Sequence, residues 1–191
     1  QALENRGIAY VELRAVDVNP YSPIGINEDT AGFLEVVALY CLLQDSPALF
    51  GEEQEVIEQN QTEVVNRGRA PNAAILADGQ CYPIEDWCAM HLQRMQPLAE
   101  LLNQTYATDL YSNAMKMMQI RVDEVDATLS ALVVGDTRTQ GSMWHFGQHL
   151  AQQHSSVYEA HQLSPETLAY FEEMSQKSLQ RSEEHTSELQ S

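Results

Sequence analysis

The stretch YVELRAVDVNPYSP, Tyr10 to Pro23, constrains the fold more than any other, because it is the one strong strand signal in a chain that otherwise reads as helix. A strand repeats every two residues, so Tyr10, Glu12 and Arg14 share one face while Val11, Leu13 and Ala15 share the other. One face has the character of a core; the other carries opposite charges. A single strand cannot satisfy its own backbone donors and acceptors. Its partners are expected outside this chain, which starts at Gln1 and not at a methionine, so the expectation is the C-terminal part of a larger protein. Beyond the strand, Asn19-Pro20 and Ser22-Pro23 steer the backbone away from helix and form a rigid connector.

Helical spacing dominates the rest of the chain. Asn27 is a natural N-cap for NEDTAGFLEVVALYCLLQD, a helix apolar almost all round and therefore expected in a core. Glu52 to Arg67 reads as an amphipathic surface helix stopped by Gly68. RAPNAAILADGQCYP lacks helical spacing and has two prolines, so it reads as an irregular segment with room for one short strand. From Ile84, the positions Trp87, His91, Met95, Leu98 and Leu102 keep three-to-four spacing, with Pro97 expected to kink or divide the helix. Tyr111–Val125, Thr128–Val134, Ser142–His161 and Pro165–Leu179 complete a helical remainder, the last opened by a Ser164-Pro165-Glu166 cap. The fold class is α+β: mainly helical, with one strong N-terminal strand.

The final eleven residues, RSEEHTSELQS, resemble the conceptual translation of a sequencing-library adapter and are set aside from the fold; an ordinary acidic tail is the alternative. The formal charge is −18, and −16 without that tail, which holds one Arg and three Glu. Such a field repels phosphate backbones and anionic headgroups, so neither nucleic acid nor a membrane is an expected partner. An anionic substrate would need local cations or metal ions. The longest apolar run, FLEVVALYCLL, is short of the roughly 20 residues a membrane span needs and contains Glu35. Cys41, Cys81 and Cys88 form no CxxC pair and are too few for a disulfide framework, which fits a reducing cytoplasm.

Three groups invite a chemical reading beside a plain one. A Glu-x-Arg pair on a strand is by itself most often a solvated ion pair. His145 and His149 lie four apart on a helix, as metal ligands do, but no adjacent carboxylate completes a site, and incidental surface histidines are the preferred reading. Arg67 and Arg69 flank Gly68, either facing a nucleotide or neutralising a helix C-terminus. Cys81 and Cys88 are expected as buried apolar residues, and Met115, Met117, Met118 and Met143 as core filler.

GIAYVELRAVDVNPYSPIGI closely resembles a strand and loop of the bacterial (type 1) glutamate-cysteine ligases, also called gamma-glutamylcysteine synthetases. Gly7, Tyr10, Glu12, Arg14, Asp17, Asn19, Pro20, Ser22, Pro23, Ile24 and Gly25 carry the agreement; FLEVVALYCLLQDSP and the RGRAP element at Arg67 to Pro71 extend it. Past about Ala73 the likeness is diffuse. The resemblance implies that residues 1–180 are the C-terminal part of one catalytic domain, with 181–191 a non-native tail, and that Tyr10–Ala15 belongs to a glutamine-synthetase-like antiparallel sheet. It implies ATP-dependent ligation of the L-glutamate gamma-carboxylate to the L-cysteine amine, the first step of glutathione biosynthesis, with Mg2+ and ATP as cofactors.

Phosphoryl transfer gathers negative charge that Mg2+ and guanidinium neutralise. By resemblance Glu12 is the metal ligand and Arg14, about 7 Å along the same face, the phosphate-contacting catalytic arginine. The remaining substrate contacts would lie in the missing N-terminal part, so the isolated fragment is expected to be inactive. A related carboxylate-amine ligase with another acceptor, or a non-catalytic helical interaction module, are the alternatives.

Overall fold

The computed structural model describes residues 7, 9–14 and 16–188. Among these, the elements in chain order are α1 (Glu28–Leu42), α2 (Gly51–Arg67), β1 (Ala74–Ala77), β2 (Gln80–Pro83), α3 (Ile84–Tyr106), α4 (Leu110–Asp123), α5 (Leu129–Thr139), α6 (Met143–Ala160) and α7 (Pro165–Glu188). Two compact units are present, residues 1–147 and 148–191.

In the first unit, α1, α3 and α4 enclose the core: Val36 from α1, Leu92, Met95, Ala99 and Leu102 from α3, and Tyr111 and Met115 from α4. The α3 positions step by three and four residues, one stripe of a 3.6-residue helix. Asn27 caps α1 as expected, its Oδ1 accepting from the Thr30 amide at 3.0 Å. Only one face of α1 is covered, at Gly32 and Val36, while Leu42 and Leu43 are exposed. Asn103 stitches the α3–α4 turn by accepting from the Tyr111 amide at 3.1 Å.

Several expectations are corrected. Residues 9–14 form no strand, and Ala15 lies outside the described residues. A strand exists only with neighbours to take its backbone hydrogen bonds, and the sheet found among the described residues is the β1–β2 pair alone. That pair is an antiparallel hairpin where the sequence allows one short strand; Asp78 (φ 51) and Gly79 (φ 72) both take the left-handed backbone that a two-residue turn requires.

Pro97 neither ends nor divides α3, which runs unbroken from Ile84 to Tyr106. The residue sits on the exposed side, where water can satisfy the Gln93 carbonyl whose amide partner proline lacks, while Met95 and Ala99 stay buried on the opposite side. Cys81 is exposed because it sits on the open hairpin. Met143 is 62% exposed at the first position of α6, although Met115 is 3% exposed.

The proline-rich connector is compact. Asn19 is buried; its amide donates to the Gly25 carbonyl at 2.8 Å and its Oδ1 accepts from the Tyr21 amide at 3.0 Å. Tyr21 then reaches α5, its hydroxyl donating to Asp136 Oδ2 at 2.7 Å, and packs edge-on against Phe146 with centroids 6.0 Å apart. In the second unit, Ser164 caps α7, its Oγ accepting from the Thr167 amide at 3.1 Å. That helix continues to Glu188, through most of the residues set aside as a tail. No helix among the described residues is long and apolar enough to cross a membrane.

Candidate functional site

A groove of about 1040 Å³ is bounded by the C-terminal turns of α2, the Gly68–Ala70 turn, the first turn of α3 and the start of α5. Its charged lining is three guanidiniums, Arg14, Arg67 and Arg69, and one carboxylate, Asp17. In a chain at −18 with only ten Lys and Arg, three of those cations line this one concavity.

The turn that carries two of them follows from Gly68. Its amide donates to the Val64 carbonyl at 3.0 Å, and the Ala70 amide returns to the Arg67 carbonyl at 2.7 Å. A Cβ at position 68 would lie 2.5 Å from the Val64 oxygen, so only glycine lets the chain close this tightly. The backbone there is right-handed (φ −54), not the left-handed C-cap usual for a terminal glycine.

Arg67 Nη1 stands 3.4 Å from Glu63, one turn back on α2. Arg69 Nη2 is 3.8 Å from Asp126, and its Nη1 donates to Ser130 Oγ at 3.3 Å. Arg14 Nη2 is 2.9 Å from Glu12 Oε2, an ion pair made within a segment that is not a strand. Both are exposed, at 83% and 58% for Arg14 and Glu12. Arg14 lines the groove; Glu12 is reached through Arg14 and is not part of the lining.

The opposite wall is apolar, with Ile75, Ile84 and Trp87. Trp87 is held by Tyr82 and His91, at centroid distances of 5.3 and 4.4 Å. His91 Nδ1 meets the Tyr40 hydroxyl at 3.2 Å. Burial, and secondarily the Arg94 charge, lowers the His91 pKa and keeps that imidazole neutral. Burial raises the pKa of Cys88, which lines the groove, so it presents a thiol and not a thiolate nucleophile. His145 and His149 join no metal cluster: no group of three or more His, Cys, Asp or Glu able to hold an ion occurs among the described residues.

Arg67 and Arg69 are legible in the sequence as a cation pair beside Gly68. Trp87 and Ser130 are not, since helical spacing marks Trp87 as core and nothing local marks Ser130. A groove with an apolar wall and a cationic rim suits a ligand with an uncharged body and an anionic end.

A family model described as glutamate-cysteine ligase matches residues 1–64. The glutamate-cysteine ligase of Pseudomonas fluorescens is 36% identical over 185 residues, 96% of this chain and 35% of that protein. That of Azotobacter vinelandii is 35% identical over 180 residues, 94% of this chain and 34% of that protein. The crystal structure of the glutamate-cysteine ligase of Francisella tularensis in complex with AMP matches with a TM-score of 0.83 at 26% identity, over 96% of this chain and 36% of that one. The chain spans about a third of the length of the relatives it matches. The chain is similar to these glutamate-cysteine ligases in sequence over 94–96% of its own length and in the fold of the same stretch.

Proposed function

We propose that the full-length protein joins the gamma-carboxylate of L-glutamate to the amine of L-cysteine at the expense of ATP, in the cytoplasm, and that this chain is the C-terminal part of its catalytic domain. The observation that carries the proposal is the 36% identity, along 96% of the chain, to a protein named for that ligation. In this reading the gamma-phosphoryl group of ATP passes to the glutamate side-chain carboxylate, giving an acyl phosphate and ADP. The cysteine amine then attacks the acyl carbon; phosphate leaves, and the nitrogen gives up a proton as the amide forms. Residues 10–15 would pair in an antiparallel, glutamine-synthetase-like sheet supplied largely by the rest of the polypeptide. Separated from it, the chain would be inactive.

Arg14 is assigned to the phosphate oxygens. Its planar fork offers two parallel hydrogen bonds, and its exposed pairing with Glu12 is worth no more than about 1 kcal/mol, so that pairing is easily exchanged for a phosphate. Glu12 is assigned to Mg2+. A carboxylate is the hard oxygen donor that ion takes, and Glu12 would be one ligand of a set completed elsewhere in the full-length protein. When bound, the ion supplies neutralising charge for the phosphates.

The experiment is turnover by the full-length protein with glutamate, ATP and a panel of amines, read as ADP and as the new amide. Cysteine preferred by an order of magnitude or more is expected. Preference for another amine would make it a carboxylate-amine ligase of different specificity. Absence of glutamate-dependent ADP release would leave the non-catalytic interaction module.

A further inference from the structure

We propose that Arg67 and Arg69 bind the phosphate groups of the nucleotide, as two further anion-binding residues that extend the site begun by Arg14; the inference rests on the proposed nucleotide-dependent reaction. The three guanidiniums line one groove, although 53 residues of sequence separate Arg14 from Arg67.

Two features set Arg67 and Arg69 apart from ordinary ion-paired arginines. Their carboxylate partners lie at 3.4 and 3.8 Å, well beyond the roughly 2.8 Å of a charge-assisted hydrogen bond, so neither fork is committed to its partner. Asp126, the partner of Arg69, is fully solvated and contributes little. In addition, Ser130 at the start of α5 accepts from Arg69 Nη1, which steadies the side chain and leaves Nη2 with only the distant Asp126.

The competing role is neutralisation of the C-terminal end of α2, where Arg67 is the basic residue of the last turn. That end carries about half a negative charge, and one cation suffices for it. Within the groove lining the only carboxylate is Asp17; Glu12, Glu63 and Asp126 pair with the three guanidiniums from outside the lining, at 2.9, 3.4 and 3.8 Å, so the cationic forks are what the groove itself presents. The apolar wall at Ile75, Ile84 and Trp87 gives the uncharged part of a nucleotide a surface, which free phosphate or glutamate would not use.

The test uses the full-length protein with Arg67→Ala, Arg69→Ala and Arg69→Lys. Arg138→Ala removes the same charge from an exposed α5 residue that does not line the groove. Kd values for ADP, AMP, inorganic phosphate and glutamate are measured by calorimetry at two salt concentrations, and KM and kcat separately for ATP and each amino acid.

Each alanine variant is expected to weaken ADP binding about 10-fold or more, with a shallower salt dependence. Glutamate binding should be unchanged, the melting temperature should match the parent's, and Arg69→Lys should recover part of the loss. Unchanged ADP affinity in both alanine variants overturns the assignment. So does a loss that Arg138→Ala reproduces, or one that falls on glutamate or free phosphate and spares ADP. Because ADP binding needs no amino acid, a protein that binds ADP through Arg69 but forms no amide would refute the proposed function and leave this inference standing. A competent ligase whose ATP KM ignores both arginines would do the reverse.

Discussion

Asn60 on α2 and Leu76 on β1 are joined by two hydrogen bonds: Asn60 Nδ2 donates to the Leu76 carbonyl at 2.7 Å, and the Leu76 amide donates to Asn60 Oδ1 at 2.8 Å. In a hairpin closed by a two-residue turn at Ala77↔Gln80, the Leu76↔Cys81 pair is the non-hydrogen-bonded kind, so both backbone groups of Leu76 face away from β2. One carboxamide satisfies them together and ties the hairpin's free edge to the helix that ends at Arg67. Asn60→Ala is expected to cost roughly 1–2 kcal/mol, two net hydrogen bonds at an exposed edge. Chemical denaturation of the full-length protein measures it, and hydrogen exchange at the Leu76 amide should accelerate first. An unchanged exchange rate would show that the pairing does not hold the edge.

The elements legible in the sequence are those whose cause is local. Asn27 and Ser164 cap helices with their own side-chain oxygens, and the Met95, Leu98 and Leu102 spacing writes one face of α3. The β1–β2 hairpin is local too: Asp78-Gly79 is a strong turn signal, and the two flanking prolines obscure it.

Other features depend on distant partners. A strand at Tyr10–Ala15 cannot form from its own alternation, because its hydrogen bonds must go to a neighbour. Pro97 carries an intrinsic helix-breaking cost, which packing on both sides of it outweighs. For the groove, the Arg67-Gly68-Arg69 cluster is visible in the sequence, but its meeting with Arg14 and Ser130 is tertiary and no periodicity reports it.

Tyr21 and Tyr111 should titrate late. The Glu35 hydrogen bond at 2.8 Å, then burial, pushes the Tyr111 pKa up to about 12, and burial, then the Asp136 hydrogen bond, does the same for Tyr21. Both folded values exceed the ordinary 10.0, so the native state holds protons that the unfolded chain releases first. Their contribution is present in full below pH 10 and is lost as pH rises toward 12. In an ultraviolet titration of the native protein, Tyr21→Phe and Tyr111→Phe should each remove one phenol from the amplitude that ionises near pH 12. An alkaline stability limb no different in Tyr21→Phe and Tyr111→Phe would refute the assignment.

Two methionines alike in sequence should behave oppositely. Met115 is 3% exposed among α1 and α3 side chains, so Met115→Ala removes buried atoms and leaves a cavity, a loss of about 2–5 kcal/mol. Met143, at 62% exposure, should tolerate alanine within about 0.5 kcal/mol. Urea midpoints with unchanged slopes would measure both, and equal shifts would contradict the α1–α3–α4 core.

The proposed roles of Glu12 and Arg14 separate cleanly from stability. Their 2.9 Å pair is exposed on both sides, so breaking it should cost at most about 1 kcal/mol. Arg14→Lys keeps the charge but loses the planar fork, and Glu12→Gln keeps the shape but loses the anionic oxygen donor. If these groups meet phosphate and Mg2+ in the transition state, each substitution in the full-length enzyme should lower kcat by about 100-fold or more. Glu12→Gln should also raise the Mg2+ concentration needed for half-maximal rate, whereas Arg14→Lys should not. Melting temperatures should stay with the parent's, because neither side chain is part of the core. Parent-like turnover in both variants would return the pair to a solvated surface bridge, and loss of turnover accompanied by an equal loss of folded protein would assign it to structure.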